Sequence, residues 1–285
     1  MDASVQFRWL GVAGIELQAS GGQVLAIDPF FTRPPMRRLW FGRVQPDRAL
    51  SAQKLPRCDW LLVTHAHFDH VMDAPDVLRH TGATAYGSAN TCGLLTACGV
   101  PGGRVRRIAA ADALDLGAFH VQVLPALHTP TPGFGPGALR PGLRPPLRLR
   151  DYRMDCDLAF LVEAGGLRLL DWGGVSSQCA VRADVLCAFP FGTRAGLQAL
   201  LEAVRPRLVI PLHWDDLFRS LSRPLRPFLQ PPRWAFPPLQ RVDLREFARS
   251  VERLRPGTKV LAPEAFRAYD LCDLAGPLQR NSHSD

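Results

Sequence analysis

Lysine is almost absent from this sequence, and its cysteines follow no pairing pattern. Lys54 and Lys259 are the only lysines among 34 basic residues, so arginine carries nearly all of the formal net charge of +8. We interpret this charge as a solvated arginine-rich surface rather than a nucleic-acid footprint. An excess of Arg together with abundant Ala, Leu and Pro usually reflects GC-rich coding. The seven cysteines are odd in number and never spaced as Cys-x-x-Cys, which argues against a disulfide framework and a thiolate zinc site.

Long apolar runs are also missing. No segment approaches the roughly 18 consecutive apolar residues of a membrane helix, and the first ten residues lack the basic and then apolar pattern of a leader peptide. We therefore expect a cytoplasmic protein without a membrane span. With 285 residues, 47% hydrophobic and 21% charged, the chain has the composition of a globular protein, and we expect one domain over residues 1–285.

Strand patterns dominate the first third of the chain, and strands alternate with helices after it. We predict strands at residues 5–9, 14–19, 23–27, 59–64, 84–86, 104–108, 119–126, 158–163, 167–170 and 208–211. Helical patterns lie near residues 74–80, 89–98, 195–204 and 244–254. The stretches 129–150 and 219–238 are rich in Pro and Arg and are predicted to be long loops.

A cluster of histidines follows the apolar run at 59–64. The segment His-Ala-His-Phe-Asp-His at residues 65–70 places three imidazoles and a carboxylate within six positions. His65 and His67 are two positions apart, so on an extended backbone they project to the same side and can bind one metal ion. Asp69 and His70 lie where the chain turns into a helix and can face a second ion. Imidazole and carboxylate ligands without thiolate suit Zn²⁺, Mn²⁺ or Fe²⁺.

Three further candidate ligands each lie at the end of an apolar run. His128 ends the segment VLPALH, Asp171 ends LRLLD and His213 ends LVIPLH. A side chain at this position emerges at the edge of a sheet. A single histidine after a strand is more often structural, but three such positions beside the hexapeptide favour a metal centre. Two ions roughly 3.5 to 4 Å apart can clamp the oxygens of a displacement reaction.

These motifs, in this order, resemble the metallo-β-lactamase superfamily over nearly the whole chain. The resemblance implies an α/β (α+β) fold, a four-layer αββα sandwich. It implies one ion bound by His65, His67 and His128, a second bound by Asp69, His70 and His213, and Asp171 as the bridge between them. Because the full ligand pattern is present, the resemblance implies an active hydrolase in which Asp69 and Asp171 are catalytic.

The same resemblance applies to two other residues and to one branch of the superfamily. Asp28, in the segment AIDPF, matches an acidic residue that would accept a hydrogen bond from a ligand histidine; the alternative is a turn former before Pro29. Trp172 stands where the family usually has a small residue, so it must point away from the ions or form a pocket wall. The segments IDPF, THAHFDH and PLHWDD are most similar to the branch with L-ascorbate 6-phosphate lactonase and N-acyl-phosphatidylethanolamine phospholipase D.

The expected reaction is hydrolysis of an ester-type bond, a lactone or a phosphodiester, in a small substrate. Zinc is the expected metal, with Mn²⁺ and Fe²⁺ as alternatives. Two such divalent ions would lower the pKa of bound water toward roughly 7 and so supply the attacking hydroxide. Asp215, Asp216 and Tyr152 are candidates for the leaving-group acid, although a structural role suits each of them as well. Residues expected to contact the substrate are Tyr152, Arg150, Trp172 and Asp215. Arginines of the two loops favour an anionic substrate, or are simply solvated: Arg140, Arg144, Arg148, Arg150, Arg153, Arg219, Arg223 and Arg226.

Two other function classes stay open. A nuclease of the same superfamily predicts basic patches interleaved with aromatic residues, and the arginines here lack that spacing. A non-catalytic metal-binding or redox protein with a di-iron site would need a flavin or rubredoxin domain, which we do not expect in these 285 residues. The small-ester hydrolase is favoured, nucleic acid is not an expected partner, and neither the substrate nor the oligomeric state follows from the sequence.

Overall fold

Two mixed sheets form the centre of the structure, a computed structural model that describes residues 4–128, 135–173, 181–230 and 240–276. The strands of the first sheet are β1 (Val5–Gly11), β2 (Gly14–Ala19), β3 (Val24–Ile27), β4 (Trp60–Leu62), β5 (Thr84–Gly87), β6 (Val105–Arg107) and β16 (Ala268–Asp270). Their order in the sheet is β16-β1-β2-β3-β4-β5-β6. The β1, β2 and β3 strands form an antiparallel meander, and β3, β4, β5 and β6 are parallel.

The second sheet is formed by the later part of the chain. Its strands are β7 (Ala113–Leu116), β8 (Phe119–Ala126), β9 (Asp157–Ala164), β10 (Leu167–Trp172), β11 (Val185–Ala188), β12 (Leu208–Pro211) and β15 (Lys259–Val260). Their order is β15-β12-β11-β10-β9-β8-β7. A small ribbon pairs β13 (Leu229–Gln230) with β14 (Gln240–Arg241).

The helices cover the outer faces of the two sheets, except the last one, which packs against the cluster between the sheets. They are α1 (Met36–Phe41), α2 (Arg48–Lys54), α3 (Phe68–Val71), α4 (Ala74–Thr81), α5 (Ala89–Ala97), α6 (Arg194–Val204), α7 (Leu244–Leu254) and α8 (Leu271–Ala275). One apolar cluster fills the space between the sheets, a second joins the first sheet to helices α1 to α5, and a third joins the second sheet to α6 and α7. The predicted four-layer αββα sandwich is confirmed.

Burial along the strands explains why these segments pair as they do. In β8, Phe119, Val121 and Val123 are buried, whereas His120 and Gln122 are exposed. This alternation with a period of two is typical of a strand that has one face in the core and one face in solvent. The neighbouring β9 is apolar on both faces because it lies inside the sheet, and Glu163 is its least buried residue. Gly165 and Gly166 join β9 to β10 with left-handed φ values of 56° and 75°, a conformation that favours glycine.

Strand direction brings the candidate ligands to one end of the sandwich. The β3 and β4 strands are parallel, so the segments that follow them leave the first sheet at the same edge. In the second sheet, β9 runs antiparallel to both β8 and β10, so those two strands share a direction with β11 and β12. His128 and His213 therefore follow strands that end at a common edge, and Asp171 lies near the end of a third.

Most of the predicted long elements agree with the structure, and short ones were missed. Helix α7 has the predicted bounds, whereas α1, α2, β7, β15 and β16 are too short to show a periodic pattern. The predicted loop 219–238 contains β13, and the described part of the loop 129–150 contains a single 3-10 turn at Leu149–Asp151. Residues 129–134 and 231–238 of these loops lie outside the described residues. Within the described ranges, no helix combines the length and apolarity needed to cross a bilayer.

Candidate metal centre

The segment from His65 to His70 leaves the first sheet directly after β4. Ala66 and Phe68 are fully buried in the apolar layer between this sheet and its helices. His65 and His67 alternate with them and project to the opposite side, where other histidines gather. The short helix α3 then carries Asp69 in its first turn and His70 directly after it, with the backbone N–H of His70 donating to the carbonyl of His67.

Three histidines form the first group of candidate ligands. One ring nitrogen each of His65, His67 and His128 lies within 4.8 Å of the others. The ring centroids are 4.6 Å apart for His65 and His67, and 4.7 Å apart for either residue and His128. Burial lowers the pKa of His67 to about 3, and burial together with the neighbouring imidazoles lowers that of His65 far below its ordinary value. Neutral imidazoles with available lone pairs are the form that binds a metal ion.

The second group consists of Asp69, His70 and His213, and its ligand atoms also lie within 4.8 Å of one another. Nε2 of His213 is 3.2 Å from Oδ2 of Asp69, and Nε2 of His70 is 3.7 Å from the same oxygen. Burial opposes the charge on Asp69, but the imidazoles beside it hold the pKa of its carboxyl below the ordinary range. The two groups adjoin each other, since the ring centroids of His65 and His70 are 4.0 Å apart.

Two buried carboxylates stand behind these histidines. Nδ1 of His70 lies 2.6 Å from Oδ2 of Asp28, whose other oxygen accepts the backbone N–H of Thr64 at 2.8 Å. Nδ1 of His65 lies 3.1 Å from Oδ1 of Asp157 and 3.0 Å from the Thr64 hydroxyl. A carboxylate that accepts from Nδ1 fixes the tautomer and leaves Nε2 as the ligand atom. Asp28 thus has the contact that the sequence predicted for it.

Asp157 was missed by the sequence reasoning, which searched for ligands only at the ends of strands. It is the first residue of β9, and because β9 is antiparallel to its neighbours, its start lies at the edge where β8 ends. Asp157 pairs with Ala126, two residues before His128. Burial raises the pKa of Asp157, and the imidazoles of His128, His70 and His67 oppose this rise. An acidic residue at the start of an antiparallel strand was the signal available in the sequence.

Asp171 lies at the same edge of the second sheet, and neither of the two groups includes it among the described residues. Its carboxyl is buried, and burial raises its pKa well above the ordinary value, with the nearby Asp28 and Asp157 adding to the rise. His70 is the neighbouring group that opposes this rise. Its role as the bridging ligand stays a prediction.

The chemistry of these side chains fits two divalent ions. Nε2 of His65 is fully buried and has no hydrogen-bond partner among the described residues, although its Nδ1 lies against the Thr64 hydroxyl and Asp157. A buried polar atom of this kind costs free energy unless something binds it. The donor set has three imidazoles in one group and two imidazoles with a carboxylate in the other, which suits Zn²⁺, Mn²⁺ or Fe²⁺.

Tyr152 and Trp172, two of the four predicted substrate-contacting residues, are placed elsewhere. Trp172 is buried in the apolar cluster between the second sheet and helices α6 and α7, because it alternates with Asp171 along β10 and faces the other side. It therefore lies on the face of β10 opposite to Asp171, as the first of the two predicted orientations requires. Tyr152 is buried beside Met72 and Cys98 in a separate cavity of about 250 Å³, where burial raises the pKa of its hydroxyl well above the ordinary value.

Asp215 and Arg150, the other two, differ in exposure. Asp215 is fully buried and pairs with Arg33 at 2.6 Å, and its role as a leaving-group acid stays a prediction. Arg150 is exposed in the turn Leu149–Asp151. Asp216, the neighbouring acid candidate, is paired with Arg226 at 2.7 Å.

An aromatic side chain that the sequence reasoning did not single out lies against the second group. The ring centroid of Phe189, which follows β11, is 4.8 Å from that of His213. A Cβ on Gly173 would lie 3.3 Å from the Phe189 ring, so this glycine leaves room for the phenyl group. Phe189 packs partly against the core between the sheets and gives the metal centre an apolar wall.

Comparison with known proteins agrees with this architecture. A family model described as the metallo-β-lactamase superfamily matches residues 15–144. A UPF0173 metal-dependent hydrolase of Anaeromyxobacter sp. (strain K) is 28% identical over 226 residues, which cover 73% of this chain and 74% of the relative. The chain is thus similar to the metallo-β-lactamase superfamily over residues 15–144, a little under half of its length. A second UPF0173 metal-dependent hydrolase, H16_A2129 of Cupriavidus necator, is 27% identical over 219 residues, which cover 73% of this chain and 72% of the relative.

Solved structures share the metallo-β-lactamase fold with this chain at low sequence identity. Igni18, a metallo hydrolase from Ignicoccus hospitalis, is 18% identical with a TM-score of 0.58, covering 94% of this chain and 98% of that protein. CmlA, a diiron β-hydroxylase from Streptomyces venezuelae, is 16% identical with a TM-score of 0.58, covering 95% of this chain and 55% of that protein. Proteins of this fold thus carry out different reactions, so the fold alone does not select one.

Proposed function

We propose that this protein is a metallo-β-lactamase superfamily hydrolase with a binuclear metal centre that cleaves an ester-type bond in a small anionic substrate. The observation that carries the proposal is the pair of adjoining ligand groups at one end of the sandwich. The names of its relatives agree with the hydrolase class. His65, His67 and His128 would hold one ion, Asp69, His70 and His213 the other, and Asp171 would bridge them.

The residues of the chain prepare this centre before substrate binds. Two divalent ions supply an activated water at neutral pH and polarise the bond under attack. Asp28 and Asp157 orient His70 and His65 so that each Nε2 faces its group. Phe189 limits access of water beside His213, whose Nε2 lies 3.2 Å from Oδ2 of Asp69, so these two ligand atoms already lie close together.

The proposal of an anionic substrate rests on the arginines of the first loop. Arg140, Arg144 and Arg150 are exposed, and none of them forms a salt bridge with a residue in the part of the chain that the structure describes. Guanidinium groups bind phosphate and carboxylate through paired hydrogen bonds. This chemistry suits the lactone or phosphodiester substrates of the branch that the sequence resembles. Zinc as the metal and a cytoplasmic location remain predictions from the sequence.

The function is tested with a generic phosphodiester and a generic lactone, assayed side by side with the zinc- or manganese-loaded protein. Turnover of either substrate should fall by about a hundredfold or more in His67→Ala, because the first group loses a ligand. His120→Ala is the matched control, since His120 is an exposed histidine paired with Asp115 outside the centre. Full activity of His67→Ala would contradict the assignment. Two bound ions without turnover of either ester would favour the non-catalytic alternative, and cleavage of RNA or DNA would favour the nuclease.

A further inference from the structure

A fully buried ion pair lies directly after the last histidine of the metal centre. Nη2 of Arg33 is 2.6 Å from Oδ2 of Asp215, and both side chains are 0% exposed. Nη1 of Arg33 also donates to the carbonyl oxygens of Asp216 and Arg219 at 3.3 and 3.4 Å. A buried ion pair contributes little net stability, because desolvation offsets the attraction between the charges. A role in fixing a particular geometry explains it better.

Hydrogen bonds connect this pair to the backbone of a metal ligand. The other oxygen of Asp215, Oδ1, accepts the backbone N–H of Val12 at 2.9 Å. The carbonyl of Val12 in turn accepts the backbone N–H of His213 at 2.7 Å and the indole N–H of Trp9 at 3.0 Å. The path from the guanidinium to His213 therefore runs through two hydrogen bonds and one carboxylate, and every group on it is buried or nearly so.

Backbone strain is concentrated in the same network. Val12, Arg33 and His213 all have left-handed φ values, of 51°, 42° and 56°. Residues with side chains rarely adopt this conformation, and a β-branched valine does so least readily. Such strain costs on the order of 1 kcal/mol or more per residue and persists only where the surroundings impose it. Here the imposing contacts are those of the Arg33–Asp215 pair.

Gly11 shows that the chain makes room for this arrangement. It has a φ of 94°, and a Cβ at this position would overlap Nη2 of Arg33. Only glycine allows the guanidinium to approach the turn between β1 and β2. The turn, the segment after β3 and the segment after β12 thus meet at one buried charge pair.

We propose that Arg33 and Asp215 are positioning residues that hold His213 in its ligand conformation and thereby set the metal affinity of the second group. This inference rests on the proposed binuclear centre. Among the described residues, the pair contacts neither ligand group directly. It acts on the second group through Val12, and none of its hydrogen bonds there leads to the first group, His65, His67 and His128. Its loss should weaken one group and leave the other unchanged, which a general loss of stability would not do.

The test is a titration of the full metal-free chain with Zn²⁺ in competition with a chromophoric chelator, which resolves two affinities. Asp215→Asn should weaken the second group roughly tenfold or more and leave the first unchanged, in the range seen when residues that orient metal ligands are removed. The matched control is Asp184→Asn. Asp184 also pairs with an arginine, Arg207, and accepts a backbone N–H from Arg168, but it precedes β11 at the opposite edge of the sheet.

A double-mutant cycle tests whether the pair acts as a unit. Arg33→Gln and Asp215→Asn should each weaken the second group, and the double variant should weaken it no more than the larger single effect. The double variant buries no unpaired charge, so it serves as the test protein if Asp215→Asn does not fold.

Three results would overturn the inference. The first is an unchanged metal affinity of the second group in Asp215→Asn or in the double variant. An equal loss in both groups is another, because it indicates destabilisation alone. If the wild-type chain binds fewer than two ions, the proposed binuclear centre fails and this inference falls with it, whereas two ions with an insensitive second group contradict the positioning role alone.

Discussion

Single carboxylates decide how the ligand histidines are oriented. Asp28 and Asp157 come from different sheets, yet each lies against Nδ1 of one ligand histidine. An imidazole ring on a flexible χ2 torsion can present either nitrogen, so the carboxylate removes a choice that the backbone leaves open. Burial opposes the charge on His70, but Asp28 and Asp69 raise its pKa to about 9, so an ion bound at its Nε2 would displace a proton from this ring.

We predict that Asp157→Ala lowers the metal affinity of the first group by about 10- to 100-fold while leaving the far-ultraviolet circular dichroism unchanged. His65 would lose the carboxylate beside its Nδ1 and keep only the weaker contact with the Thr64 hydroxyl. Asp115→Ala is the matched control, because Asp115 pairs with His120 in an exposed carboxylate–histidine pair away from the centre. A titration that shows equal affinities for Asp157→Ala and the wild type would remove Asp157 from the metal centre.

At the scale of elements, one buried carboxylate fastens the segment after β3 to the start of α4. Oδ2 of Asp73 accepts the backbone N–H groups of Phe31 and Thr32 at 2.6 and 2.9 Å, and the Thr32 hydroxyl donates to its other oxygen. Burial nevertheless outweighs these hydrogen bonds and raises the pKa of Asp73 to about 6. The folded protein therefore holds a proton on Asp73 more tightly than the unfolded chain does.

This shift predicts a pH-dependent contribution to stability with a definite sign. Because the folded pKa lies above the unfolded value of 3.8, the contribution is fully present below pH 3.8 and is lost as the pH rises through about 6. The loss amounts to about 3 kcal/mol by the conversion of 1.36 kcal/mol per pKa unit.

The measurement is urea denaturation of the wild type and Asp73→Asn at several pH values between 4 and 7.5. The free energy of unfolding of the wild type, minus that of Asp73→Asn, should decrease over this range. A difference that stays constant would show that Asp73 keeps an ordinary pKa in the folded protein.

At the scale of the whole molecule, the metal centre joins the two sheets. The hexapeptide at 65–70 follows β4 of the first sheet, whereas His128 and His213 follow β8 and β12 of the second. Each ligand group thus combines residues from both sheets. Ions bound to the folded state alone add to its stability in proportion to the logarithm of their concentration.

We predict that a chelator lowers the melting temperature of the metal-loaded chain. At free metal concentrations about 100-fold above Kd, one bound ion adds about 2.7 kcal/mol, which for a chain of this size corresponds to roughly 5 to 10 °C. Differential scanning calorimetry with and without chelator measures this shift. It should persist in His120→Ala and shrink in His67→Ala, and an equal shift in both variants would show that the ions bind elsewhere.

The sequence alone determined the residues that gather at the centre and the type of fold. His65, His67, Asp69 and His70 are neighbours in the chain, and His128 and His213 each follow an apolar strand, so local pattern was sufficient to select them. The αββα sandwich followed from the order of the motifs and their resemblance to a family. Each of these motifs is formed by residues close together in the chain, which is why they could be identified without a structure.

Only the tertiary structure decided which polar residues near the centre serve it. Asp157 was not predicted because its strand, β9, begins at the edge of the sheet where β8 ends. The residues of a single strand do not show in which direction it runs within a sheet. Asp215 was expected at the substrate, but Arg33, far away in sequence, buries it in an ion pair. Trp172 faces the outer helices because Asp171 takes the other face of β10. For Asp157 and Asp215 the outcome depends on a partner distant in sequence, and folding alone brings such partners together.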